Sequence, residues 1–167
     1  PIAGLSLSRW EHLTEPTSYV MDCQSVPDCP RTKTGHARSG NHTYDASHFL
    51  FTAVDFPVIA QITEASPERP YLSVLLKLDP HLLAQIMLEA QIPFKPAHKD
   101  RKGVAVGKLT PDMISAFIRL MNLLNTPQDI AVLAPLIIKE IFYRLLMSPQ
   151  GDRLKRIVAA GTTGHRI

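Results

Sequence analysis

Two hydrophobic periods divide this chain. Up to about residue 78 the apolar positions alternate with polar ones or gather in short aromatic and β-branched runs. Beyond it they recur at helical spacing. Leu5-Ser6-Leu7-Ser8-Arg9-Trp10 has the period of a half-buried strand, and His48 to Val54, Val58 to Thr63 and Tyr71 to Leu78 read as further strands. Asp55-Phe56-Pro57 and Ser66-Pro67-Glu68-Arg69-Pro70 are the turns between them. Short strands at regular spacing predict a barrel or sandwich.

The second half carries helix starts. Asp79-Pro80 and Thr110-Pro111 each place a capping side chain before a proline at the first helical position. Leu82, Leu83, Ile86 and Met87 follow the first; Met113, Ile114, Phe117, Leu120, Met121 and Leu124 follow the second. Thr126-Pro127, with Asp129 three residues after the cap, repeats the signal as in a capping box. Pro135 predicts a short turn before a long helix through Leu136, Ile137, Ile141, Leu145 and Leu146, stopped by Pro149 and Gly151. A last helix spans residues 152–160, with Gly161 as its terminator. Between Gln91 and Lys108 lies a loop with one short strand, Val104-Ala105-Val106.

Composition narrows the class. With 167 residues and 45% hydrophobic content, the chain can bury a real core as one domain. Eighteen basic residues against fifteen acidic ones is a weak excess, spread along the chain. A nucleic-acid footprint needs clustering on one face. The nearest clusters, Lys95 with His98, Lys99, Arg101 and Lys102, and Arg153 with Lys155 and Arg156, read as a solvated loop and helix face. Cys23 and Cys29 lack the paired spacing of a zinc site and read as incidental thiols. No apolar run reaches membrane-spanning length, and no signal-like pattern opens the chain, so a cytoplasmic protein is expected.

No catalytic constellation stands out. His36, His42 and His48 lie six apart with no acid at the offset a metal-binding barrel needs, so no metal and no cofactor are expected. Ser6, Ser8, Ser47 and Ser73 sit in no nucleophile elbow, and there is neither a P-loop nor a dinucleotide fingerprint. Asp45, Asp55, Glu64 and Glu68 flank strands as turn and edge residues. The candidate binding surface is the barrel interior, with Trp10, Phe49, Phe51, Ile62, Tyr71, Val74 and Leu76 as liners and Tyr44 and His48 at a rim. The helices need cover for both faces. A second subunit would supply it through Met113, Phe117, Leu120, Met121, Leu124, Ile137, Ile141 and Leu145; otherwise one face is left to solvent.

Three blocks, in order, carry a resemblance: Tyr44-Asp45-Ala46-Ser47-His48, Ala65-Ser66-Pro67-Glu68-Arg69-Pro70-Tyr71-Leu72 and Thr126-Pro127-Gln128-Asp129-Ile130. Leu133-Ala134-Pro135-Leu136-Ile137, Glu140 to Leu146 and Ser148 to Gly151 continue it. Together they resemble the N-terminal regulatory domain of AraC-type transcription regulators over about residues 43–154. The resemblance implies an α+β fold: a cupin-like barrel over 1–109 with an inserted helix at 80–91, then a helical dimerisation subdomain over 110–160. Residues 161–167 would begin a linker to an absent DNA-binding domain.

Residues 25–38 depart from that pattern, where the family has strand, Gln-Gly turn and strand. Reading codons for Asp28 to Arg38 one base out yields Ile-Ala-Gln-Gly-Gln-Lys-Arg-Val-Met-Leu, which restores it. An out-of-frame stretch bounded by two compensating errors is therefore expected, with a divergent loop as the rival reading.

The leading expectation is an effector-sensing, homodimeric, non-enzymatic part of a regulator that meets DNA only through its missing domain, with a small molecule as partner and no membrane. A purely structural dimerisation module, a metal-dependent cupin-like enzyme and a nucleic-acid binder are the alternatives, in falling order.

Overall fold

The computed structural model describes residues 1–21, 24–27, 37–39, 42–44, 47–52, 56–93, 104–155 and 158. The chain divides into two compact units. One comprises Gly4–Lys77 and Gly103–Leu109; the other comprises Pro1–Ala3, Leu78–Lys102 and Thr110–Ile167.

The first unit holds nine strands in two antiparallel sheets, among the described residues. They are β1 (Leu5–Trp10), β2 (Thr17–Met21), β3 (Gln24–Pro27), β4 (Ala37–Ser39), β5 (His42–Tyr44), β6 (His48–Thr52), β7 (Phe56–Ile62), β8 (Tyr71–Lys77) and β9 (Val104–Lys108). One sheet runs β1-β8-β3-β6-β9 and the other β2-β7-β4-β5.

The cupin-like barrel is thereby corrected to two open sheets in an α+β fold. Among the described residues no ladder joins β1 to β9 or β2 to β5, so each sheet keeps two edges. Closure requires tilted, staggered strands whose outer edges meet. Strands as short as Ala37–Ser39 and His42–Tyr44 pair over three residues, too few to curl a sheet around. Alternation along a strand reads the same in an open sheet and in a barrel. That is why the sequence did not separate them.

The pleat sorts the core of this unit. Phe49 and Phe51 stack on one face of β6, with ring centroids 6.1 Å apart. Leu50, on the opposite face, packs with Tyr71 of β8 and Ile62 of β7, so this face of the five-stranded sheet looks toward the second sheet. Phe49, Leu50 and Phe51 are all buried, which is why the strand reads as a continuous apolar run. β1 is nearly all exposed despite its alternation, because it is an edge strand paired only with β8.

The strands expected at 48–54, 58–63, 71–78 and 104–106 are present with ends shifted by a few residues, whereas β2, β3, β4 and β5 were not expected. The disputed stretch is bracketed by β3 and β4, and residues 28–36 lie outside the described residues, as do Cys23, Cys29 and the basic loop at 95–102.

The second unit is helical: α1 (Pro80–Glu89), α2 (Pro111–Asn122) and α3 (Ile130–Met147), with residues 151–155 and 158 also helical. Asp79 caps α1, its carboxylate accepting from the His81 and Leu82 amides at 2.8 and 3.4 Å. Thr110 caps α2 by accepting from the Met113 amide at 3.3 Å. The third expected cap is different. Thr126 makes no side-chain capping bond, a 3-10 turn occupies Pro127–Asp129, and α3 starts only at Ile130.

Pro135 does not break α3 but lies inside it. A proline there forfeits one backbone hydrogen bond. The buried row Ala134, Ile137, Ile141 and Leu145 offsets that loss, because α3 packs against both α1 and α2.

Candidate functional site: the exposed face of helix α3

Helix α3 is apolar nearly all round, and its two sides have different fates. Ala134, Ile137, Ile141, Phe142, Leu145 and Leu146 turn inward. Leu133, Leu136, Tyr143 and Met147 stay exposed, Leu136 at 60%. Spaced 3, 7 and 4 residues apart, these four leave one gap, which Glu140 fills. The seam 133-136-140-143-147 alternates steps of three and four, the spacing by which one helix meets another.

An open cleft of about 400 Å³ flanks the seam on each side. One is lined by Arg119, Asn122, Leu123, Leu133, Leu136 and Ile137, with Glu140 at its border. The other is lined by Ile86, Glu89, Ala90, Leu136, Lys139 and Tyr143, again with Glu140. Leu136 and Glu140 thus form the ridge between two hollows.

The charges around the ridge are paired within the chain. Glu140 accepts from Arg119 and, at 2.9 Å, from Arg144 Nε. Arg144 also donates to Asp112 at 2.9 Å, tying α3 to the first turn of α2. Lys139 pairs with Glu89 of α1 at 2.6 Å. The hydrogen bond from Arg119 is the largest cause holding the Glu140 carboxyl below its ordinary range; burial opposes it and the bond from Arg144 adds to it. Glu140 is therefore ionised while it sits among leucines.

Of the residues expected at a helical dimer surface, Met113, Phe117, Leu120, Ile137, Ile141 and Leu145 are buried in the fold, Met121 is half-buried and Leu124 is exposed. The exposed seam is a different set. Its signal was present in the sequence as the three-four spacing through Glu140. Two apolar stripes share α3, however, and periodicity alone does not tell which one faces inward.

The expected effector liners are split by the pleat. Trp10 is the register partner of Tyr71 and so shares its face, with Leu50 and His48 on the matching face of β6; Ile62 packs against this face from β7. Phe49, Phe51, Val74 and Leu76 point the other way and are buried. Trp10 remains 49% exposed at the sheet edge. His48 is half-buried, with Nδ1 3.0 Å from the Ser47 hydroxyl. Tyr44 ends β5, and its side chain lies outside the described residues. Among the described residues no group of three or more His, Cys, Asp or Glu could hold a metal ion, and no helix is long and apolar enough to cross a membrane.

No curated protein matches the chain in sequence. Among solved structures it is similar to an apo form of a ToxT variant from Vibrio cholerae strain SCE256, with a TM-score of 0.58 and 10% identity over 87% of this chain and 56% of that one. It is also similar to wild-type ToxT from the same strain with an unsaturated fatty acid bound, with a TM-score of 0.54 and 7% identity over 90% of this chain and 55% of that one. Vibrio cholerae O395 ToxT bound to (E)-4-(8-methylnaphthalen-1-yl)but-3-enoic acid matches with a TM-score of 0.53 and 10% identity over 96% of this chain and 66% of that one. The chain therefore spans 55–66% of the length of these structures, and likeness at such identity shows the fold alone. Residues 1–153 match the model of the AraC-type transcriptional regulator N-terminus. This chain belongs to that family, one of regulators and not of enzymes.

Proposed function

We propose that this chain is the effector-sensing and dimerisation part of a transcription regulator whose DNA contacts are made by another part of the whole protein. The observation that carries the dimerisation reading is the apolar seam of α3, exposed between two clefts. Leu133, Leu136, Tyr143 and Met147 are about half exposed, so covering them would bring roughly 1 kcal/mol per side chain, an incentive for a second helix. The test is sedimentation of the chain and of a Leu136→Glu variant. A dimer that becomes a folded monomer in the variant supports the reading; a parent chain that is monomeric at high concentration sinks it.

The effector is proposed to be a small amphipathic molecule entering between the two sheets from the β1 edge, where Trp10 marks the rim beside Tyr71, with Ile62 and His48 farther along. The fatty acid in a protein of similar fold supports the chemical class. Binding would shift the population of arrangements available to the dimer. Trp10 is the one tryptophan, so its fluorescence reports the site directly. A saturable change on titration with an unsaturated fatty acid is expected, and a flat response would favour a purely structural module.

A further inference from the structure

Strand β1 is a sheet edge without the devices that blunt one. Among the described residues it pairs only with β8. Its register runs unbroken from Leu5 to Trp10, with no bulge, and it holds no proline and no lysine. Every residue after Leu5 is exposed. Such an edge offers a row of unpaired backbone groups to an extended partner.

One bond tells which groups face out. The Lys77 amide donates to the Gly4 carbonyl at 2.8 Å. Hydrogen-bonded pairs alternate along an antiparallel ladder. Gly4, Ser6, Ser8 and Trp10 therefore turn their backbone groups to β8, and Leu5, Leu7 and Arg9 turn theirs outward.

The side chains of this edge complement themselves. Around Trp10 the chain reads Leu7-Ser8-Arg9-Trp10-Glu11-His12-Leu13, with a leucine at each end and an opposite charge on either side of the centre. Leu7 is 53% and Leu13 63% exposed. Arg9 donates to Glu11 at 2.9 Å, one cation to one carboxylate, so the segment brings no net charge there.

We propose that this edge binds a second copy of itself, antiparallel through Leu7–Leu13, with Trp10 on the two-fold axis. Leu7 of each copy then lies opposite Leu13 of the other, and Arg9 opposite Glu11. The outward amides of Leu7 and Arg9 meet those positions as hydrogen-bonded pairs. Glu11, His12 and Leu13, outside every described strand in the single chain, extend β1 in the pair.

Charge selects the occupant and the register. The two Arg9–Glu11 pairs form a square of alternating sign, and opposite charges directly across a ladder are favourable. An axis at Arg9 would set the two guanidinium groups against each other. An axis at Leu7 or Ser8 would set each against a leucine. With the axis at Trp10, the two indoles meet at a non-hydrogen-bonded position, where side chains come nearest. One short ladder lies at the weak end of interfaces, so on a chain that already dimerises it links dimers.

The experiment is oxidative cross-linking of the full chain with Cys23→Ser, Cys29→Ser and Leu136→Glu, the last making the result independent of the α3 reading. Trp10→Cys is expected to form disulfide-linked dimers, whereas Ser8→Cys and His12→Cys, also exposed, are not. Leu7→Cys/Leu13→Cys, which keeps Trp10, should link where neither single variant does. Equal linking at all positions would mean random collision and overturn the proposal. So would linking by Leu7→Cys or Ser8→Cys alone, or no linking by either expected chain.

In the Trp10→Cys chain, Arg9→Glu and Glu11→Arg should each abolish linking. Mixing the two chains should restore it, since the acidic pair of one copy then faces the basic pair of the other. Each of these changes destroys the Arg9–Glu11 bond within its own chain. A mixture that stays unlinked would therefore mean that the two residues serve only each other, and would overturn the proposal.

Discussion

Phe49 and Gly107 face each other across the β6–β9 ladder, and the Phe49 ring fills the space that any other residue at 107 would need. A Cβ placed on Gly107 would lie 2.4 Å from the ring's Cζ atom, inside any van der Waals contact. The ring is wholly buried and stacked on Phe51, so it has little room to withdraw. Gly107→Ala is expected to destabilise the chain by about 1–3 kcal/mol, as overpacking does. Phe49→Leu in the same chain should recover part of the loss, measured by urea unfolding. A neutral Gly107→Ala would mean that the ring is free to move.

Gln91 closes α1 in the left-handed region, at φ 53°, where its backbone amide reaches Leu88 O at 3.2 Å and that of Ile92 reaches Met87 O at 2.9 Å. A side chain there costs about 1 kcal/mol relative to glycine. Gln91→Gly should therefore raise the melting temperature by roughly 2–4 °C. A fall would show that the Gln91 side chain supplies more than its backbone costs.

Gly151 is buried where the chain leaves α3, and a Cβ on it would meet the Leu146 carbonyl oxygen at 1.8 Å. Backbone cannot yield as a flexible side chain can. Gly151→Ala should cost on the order of 3 kcal/mol or more, read by chemical denaturation.

The carboxyl of Glu140 titrates lower in the folded chain than its ordinary 4.5, chiefly through the Arg119 hydrogen bond. A depressed carboxylate stabilises the fold above its unfolded value, and that contribution is lost as the pH falls through the folded value. Glu140→Gln should thus lose stability on the order of 0.5–1 kcal/mol at neutral pH. The two chains should converge as the pH drops below 4.5. A gap that stays constant with pH would mean that packing, not ionisation, is the role of this side chain in stability.

Much of this was written in the residues. The caps at Asp79 and Thr110 were legible because a short polar side chain before a proline satisfies amides that the helix cannot satisfy itself. The strand at Phe49 was legible because burial on both faces leaves an unbroken apolar run. The family was legible in three sequence blocks, and a match over residues 1–153 bears it out. Thr126 shows the limit of local signals: its cap pattern is complete, yet the turn that follows is 3-10 and the helix starts later.

What only the tertiary structure decided is which alternatives the local patterns left open. Alternation told that β strands have two unlike faces, but closure depends on whether distant edges meet, and here the sheets stay open. It also did not tell that both faces of β8 are buried, at Tyr71 on one side and at Val74 and Leu76 on the other. On α3 two apolar stripes lie on one cylinder, and the packing of α1 and α2 selects Ile137, Ile141 and Leu145 for the interior. That choice leaves Leu136 and Glu140 on the surface. The sequence determined that α3 had apolar surface to bury, since periodicity is local; which surface remains for a partner is a property of contacts between segments far apart in the chain.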